Sequence, residues 1–365
     1  MFALYSFLSG LLLSAAFKPI GLWFAAPLAI ALLIYTINNN GKHFASFAIF
    51  AFTFNAAGLI WSNKYVGITP WIALVLLQTV FFLPLGFLKR IGESWYFYLP
   101  VAFLALEEVR SRFPFGGFGW TRIAFSQVES PALPIVSYGG VLALSALTLV
   151  IAALLTRLSL SNLIKLALIF IFVAVIPANP QGSGSVNLLA VQGNTPSVGL
   201  DFNSRAKAVF DLHRDATYRF ATQKYDAIVW PENAIDIDPG NYPEVARDIQ
   251  DLTGKLQAPL VAGVVLNQKG YPANASVMYD VAGDAVSTYI KRGLTPFGEY
   301  MPLRKIAEFI SPYAKSVKDF QTGTTAQCEL SNFLGFGKPQ AAQQELHCRN
   351  ECWRDAQFMH SQPHQ

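Results

Sequence analysis

The chain has 365 residues, of which 53% are hydrophobic and 14% charged, with a formal net charge of +4 at pH 7 and a mean hydropathy of +0.35. An average soluble domain carries about 25% charged residues, so a uniformly soluble chain is excluded, and positive charge this modest and unclustered excludes a nucleic-acid-binding surface. The three cysteines all lie beyond Gln327 and make no paired disulfide framework.

The apolar residues crowd into 1–178, whereas 185–365 holds most of the acids and has soluble composition. The first runs, 2–17 and 19–37, lack the basic start and small-residue cleavage site of a signal peptide and predict two spanning helices. Further runs at 44–61, 70–88, 95–109, 134–156 and 163–177 approach the roughly 17–25 residues of a bilayer crossing. The prediction is a multi-span α-helical membrane bundle of seven spans over 1–180. Buried helices of a soluble protein are the alternative, but seven such runs would leave almost no polar surface for water. Basic residues divide evenly between the two sides until Arg110, Arg112 and Arg122 are set aside as functional. The remainder, Lys42, Lys89, Arg90, Arg157 and Lys165 against Lys18 and Lys64, puts the N-terminus in the cytoplasm and residue 180 onward outside.

Within the bundle, 107–120 reads EEVRSRFPFGGFGW. Charge at a membrane boundary is costly unless paired, so Glu107 and Arg110 at i, i+3 form either a structural clamp or part of a lipid-facing entrance. The glycine and aromatic run that follows fits an interfacial belt or a surface for acyl chains and head groups. The uncharged, turn-rich 177–185 is a linker. After it the pattern becomes strand 186–192, helix 203–223, strand 227–230, helix 243–256, then strands 260–266, 275–279 and 285–290. This order predicts an α/β layered domain over 181–339 whose strand ends carry the chemistry.

Two strands deliver charge at their ends. Glu232 follows Trp230-Pro231, where proline stops the strand and turns the carboxylate outward, as a general base or as a cap for the next turn. Lys291 closes 285–290, either as an ammonium that stabilises an oxyanion and keeps Glu232 ionised, or as one of a solvent-facing pair with Arg292. Glu299, between Pro296 and Pro302, either positions Lys291 or closes a turn. A carboxylate and an ammonium in one pocket activate a nucleophile, and the nucleophile is the part these motifs lack.

With the segment 107–120, VQGN at 191–194, WPENAI at 230–235 and KRGLTPFGEYMPL at 291–303 in that order, the chain resembles the apolipoprotein N-acyltransferases, integral membrane members of the nitrilase superfamily. The resemblance covers 1–327 and extends toward 339. It implies a nitrilase-like αββα sandwich outside the cytoplasm, an eighth span, and a Glu-Lys-Cys triad. Glu232 matches the base, Lys291 the second member and Glu299 an assisting glutamate. The implied reaction moves a fatty acyl group from a phospholipid to the thiolate, then to the α-amino group of an apolipoprotein's diacylglyceryl cysteine, in a bacterial plasma membrane. A membrane-anchored amidase and a non-catalytic lipid- or lipoprotein-binding remnant are the alternatives. No cofactor and no nucleic-acid partner are expected.

The family's nucleophile stands in a Cys-aromatic-Glu sequence that falls at 340–345 here, where this chain reads Gln340-Ala341-Ala342-Gln343-Gln344-Glu345. Cys328 comes too early, and Cys348 and Cys352 lack the apolar approach. The expectation is a C-terminally incomplete sandwich, a disordered atypical tail over 340–365 produced by a disrupted reading frame, and no activity. His347, Cys348, Cys352, His360 and His364 are metal-binding types without strands to build a site, so no metal is expected.

Overall fold

The computed structural model describes residues 1–177, 185–195, 207–310, 312–315 and 317–324. They fall into two compact units, Met1–Gly182 and Ser183–Gln365. The 340–365 tail and all three cysteines lie outside the described residues.

The first unit is helical. Helices α1 (Phe2–Ala15), α2 (Ala25–Asn38), α3 (His43–Gly58), α4 (Ile60–Val66) and α5 (Ile68–Phe82) are followed by a 3-10 stretch, Leu83–Ile91, and by α6 (Leu99–Arg110), α7 (Val136–Leu155) and α8 (Leu160–Val175). Every predicted span contains a helix, yet among the described residues two stretches, Ile68–Ile91 and Leu133–Leu155, are long and apolar enough to cross a membrane. Phe2–Ala15, Ala25–Asn38 and Leu160–Val175 are apolar but shorter. The break between α4 and α5 falls at Gly67, whose φ of 85° lies where a side chain is strained.

Leu13, Ile30, Leu33, Phe50, Phe54 and Phe82 fill the core of this unit. The outward faces are apolar as well, with Val80, Val101, Leu168, Ile171 and Val175 exposed. Soluble proteins rarely leave so many large apolar side chains open to water.

Glu107 and Arg110 are both buried, 3.9 Å apart. Glu107 accepts from the Ile123 backbone N–H at 2.7 Å and from the Ser145 hydroxyl at 3.1 Å. Arg110 donates to Thr121 Oγ1 at 2.7 Å and to Gln78 Oε1 at 3.1 Å. The cluster ties α6 to α5, to α7 and to the 121–123 segment, which is the clamp of the two roles the sequence leaves open. Glu108 pairs with Arg112 at 2.7 Å and also with Arg122. In the aromatic run that follows, Trp120 stacks on Trp61 and on Phe118.

The second unit is built on one sheet in the order β1-β2-β3-β4-β5. Strands β1 (Leu188–Ala190), β2 (Ala227–Val229) and β3 (Leu260–Gln268) run parallel, and β4 (Tyr271–Tyr279) and β5 (Ala285–Ile290) continue antiparallel. Parallel neighbours need a crossover, supplied by α9 (Ala208–Phe220) and α10 (Pro243–Leu256). Phe210 of α9 and Val245, Ile249 and Leu252 of α10 share a core with Ile228, Leu260, Ala262 and Val264.

Helix α10 and strand β5 coincide with their predicted ranges. Strand β4 begins at Tyr271, earlier than predicted, because Lys269 and Gly270, both at positive φ, form a two-residue hairpin turn directly after β3. Of the expected two-layered sandwich, the described residues make one mixed sheet with its helices.

Two tests of stability follow from these contacts. Arg110→Met strands the Glu107 carboxylate, and losing one partner of a buried pair costs about 3–5 kcal/mol; thermal unfolding in detergent should show a clearly lowered midpoint. Beyond the candidate base, burial pushes the Asp236 carboxyl up, while backbone N–H groups of Phe210 and Lys207 pull it down less. A raised carboxyl favours the protonated folded form, so the ionised form costs stability at neutral pH and the cost fades on acidification. Asp236→Asn should therefore melt higher than the parent at pH 7, and the gap should close as pH falls.

Candidate active site

Glu232 is placed by a tight turn at the end of β2. The Trp230 N–H donates to the Val261 carbonyl at 2.8 Å, the Gly263 N–H donates to the Pro231 carbonyl at 3.2 Å, and Asn233 takes a positive φ of 57°. The turn lies so close on β3 that a Cβ at Gly263 would sit 2.5 Å from Glu232 Cα and from the Pro231 oxygen. Glycine at 263 is therefore a condition for the position of Glu232.

Lys291 follows β5 directly. Ile290 pairs with Ala275, and the Lys291 N–H donates to the Asn274 carbonyl at 2.8 Å. The two residues are thus cross-strand neighbours on the face opposite that of Ala275. Glu299 comes from the loop beyond, folded back on itself by Glu299 N–H to Thr295 O at 2.9 Å and Phe297 N–H to Tyr300 O at 2.8 Å. The following chain locks this loop: Phe320 N–H donates to Glu299 O at 2.7 Å, and Met301 N–H to Asp319 Oδ1 at 3.0 Å.

These elements bring three charges together. Lys291 Nζ lies 2.7 Å from Glu232 Oε1 and 3.0 Å from Glu299. Side-chain exposure is 4% for Lys291, 10% for Glu299 and 22% for Glu232, so the glutamate assigned the base role is also the most accessible of the three. Glu232 and Lys291, which the sequence reading places together, are in direct contact, and Lys291 is buried while Arg292 is exposed. Glu299 contacts Lys291 directly; of the two roles left open for it, the geometry favours positioning Lys291.

Asn274 and Thr295 escaped the sequence reading. Asn274 Nδ2 donates to Glu232 Oε1 and, at 2.7 Å, to Glu299 Oε1. The Thr295 backbone N–H donates to Glu299 Oε2 at 2.6 Å. A signal for Asn274 was present: an amide between Ala273 and Ala275 in a buried strand runs against strand preference. Its Oδ1 is buried with no hydrogen-bond partner among the described residues. A stranded acceptor costs about 1–3 kcal/mol, so the amide is held for what its NH2 group does.

A base that can accept a proton, an ammonium that can hold an oxyanion and a second carboxylate fixing the ammonium suit nucleophilic acyl chemistry. Cys328, Cys348, Cys352 and 340–345, where the resemblance implies a nucleophile, all lie outside the described residues. No cluster of three or more metal-binding side chains occurs among the described residues either.

Residues 9–154 match the family model described as the apolipoprotein N-acyltransferase N-terminal domain. Proteins named apolipoprotein N-acyltransferase match most of the chain. That of Mycolicibacterium smegmatis is 28% identical over 86% of this chain and 61% of its own length. Those of Pseudomonas paraeruginosa and Aquifex aeolicus are 28% and 25% identical, over 88% and 91% of this chain and 69% and 77% of their own. The chain thus spans roughly three fifths to three quarters of the curated relatives it matches.

Gly263→Ala tests the placement of Glu232. Overpacking of this kind costs about 1–3 kcal/mol, and because the clash is with backbone, the Glu232 turn must move. A lowered melting midpoint together with a Glu232–Lys291 distance beyond salt-bridge range is the expected result, read by calorimetry and a structure of the variant.

Proposed function

We propose that this chain, which carries the N-terminal domain of the apolipoprotein N-acyltransferases and is related to them over most of its length, has the acid–base centre of a membrane acyltransferase. The reaction is phospholipid-dependent N-acylation of the N-terminal diacylglyceryl cysteine of apolipoproteins. The observation that carries the reading is Lys291 held between Glu232 and Glu299.

Glu232 takes the thiol proton, and the thiolate attacks the phospholipid ester, forming a C–S bond. The oxyanion of the tetrahedral intermediate is stabilised by Lys291. The ester C–O bond then breaks and Glu232 returns the proton to the leaving alcohol. In the second half the α-amine of the lipoprotein attacks the thioester, a C–N bond forms, the C–S bond breaks, and its proton passes through Glu232 to the thiol. Glu299 anchors Lys291 throughout.

The first unit would serve as the membrane anchor, crossing the bilayer seven times and leaving the second unit on the extracytoplasmic side of a bacterial plasma membrane. Support comes from the apolar outward faces of its helices and the bias of basic residues between loops. Both substrates are lipid-bearing, which gives such an anchor a use.

A second reading is favoured by one observation. The positions where the family places its cysteine are Gln340 to Glu345, so the chain would bind lipid or lipoprotein at the same centre without completing the chemistry. Membranes holding the full chain, incubated with acyl-labelled phospholipid, separate these readings. The acyl-transfer reading expects an alkali-labile acyl-protein adduct, and its absence would favour binding without chemistry. An adduct lost in Glu232→Gln and in Cys348→Ser, with N-acylated lipoprotein as product, would place the nucleophile in this chain; an adduct that yields free fatty acid would instead indicate an amidase.

A further inference from the structure

Two carboxylates gathered on one ammonium carry a net negative charge, and like charges in a buried site push apart or take up a proton. Something besides Lys291 must hold Glu232 and Glu299 together. Each presents its Oε1 to the same two donors, Lys291 Nζ and Asn274 Nδ2. The four groups form a closed ring in which donors and acceptors alternate. Asn274 is only 1% exposed, its backbone is fixed opposite Lys291 by the strand register, and flipping its amide would turn a carbonyl oxygen onto two carboxylates.

We propose that Asn274 is a positioning residue of the centre: its neutral NH2 group supplies the second pair of hydrogen bonds that lets two glutamates share one lysine. This deepens the acyltransfer reading and rests on it for the role of Glu232 as base. Asparagine suits the task because it donates twice without adding charge. A second lysine would neutralise both carboxylates and bind the base too firmly, and an aspartate would add a third negative charge. The unpartnered Oδ1 is the corollary, since both N–H bonds are directed to the carboxylates and leave the oxygen facing away from them.

The test uses the full chain in lipid nanodiscs with glutamate labelled by carbon-13 at the side-chain carboxyl. Infrared difference spectra at pH 7 compare the native protein with Asn274→Leu, which keeps the size but removes the donors, and with Asn274→Ser, which keeps one donor. Relative to native, the leucine variant should gain a protonated-carboxyl band equivalent to one glutamate and lose the matching carboxylate intensity. The serine variant should show less than half of that change. Adding Glu299→Gln to the leucine variant should abolish the new band, because a single carboxylate no longer has a rival. A purely packing role for Asn274 would give none of these signatures. A leucine variant spectrally identical to native, or a serine variant as altered as leucine, would overturn the proposal. Circular dichroism checks folding; if the leucine variant does not fold, Asn274→Ala carries the same expectation. No acyl transfer enters these measurements, so failure of the proposed function and failure of this assignment are separately visible.

Discussion

Lys291 carries an ammonium into a place where water can hardly follow, and the second unit is arranged around that fact. Removing such a charge from water costs several kcal/mol, whereas a lone exposed pair returns about 0–1 kcal/mol. One carboxylate at the rim would not hold it. Two are supplied, from segments widely separated in the chain, and the segment after β5 must therefore fold back so that Glu299 meets the turn carrying Glu232. The chain then returns along its own path: Gly323 N–H donates to Lys291 O at 3.0 Å, and Arg304 pairs with Asp319 at 2.6 Å.

The sheet topology makes the meeting possible. Parallel strands send their C-terminal ends the same way, which is where side chains for chemistry collect in α/β layers. Strand β2 accordingly presents Glu232 beside β3. Antiparallel β4 and β5 then bring Asn274 and Lys291 level with it, the middle of one strand and the exit of the other. Gly263 permits the contact between these parts, since any side chain there would lever the Glu232 turn off β3.

Much of this was legible in the sequence because charge at the end of an apolar run is a strong local signal, and Glu232 and Lys291 both stand so. Helix α10 was readable from its apolar spacing behind Pro243. Asn274 was not readable in the same way. Its importance depends on the residue opposite it, and strand register is a relation between distant segments that no single run displays. The hairpin at Lys269-Gly270 was missed for a kindred reason: polar Asn267 and Gln268 look like a loop, yet they pair as strand because the turn follows them at once. In the first unit the apolar runs located the longer helices but not their lengths: α4 lies mostly between two predicted runs, and the Gly139–Gly140 kink interrupts a helix that hydropathy alone would draw as continuous.

The two buried charge clusters show why one is suited to hold and the other to react. Around Glu107 and Arg110 the hydrogen bonds run to a backbone N–H, hydroxyls and an amide, while the ions themselves stand 3.9 Å apart. Such a pair is held by several neutral partners, and a proton transferred within it would break several bonds at once. At the other centre the bonds to Glu232 come from the side chains of Lys291 and Asn274, whereas Glu299 also receives the Thr295 backbone N–H. Side chains can follow a moving partner and backbone cannot. In the proposed reaction Glu232 trades its contact with Lys291 for a proton while Glu299 keeps the ammonium in place, the division of labour that a general base and its electrostatic support require.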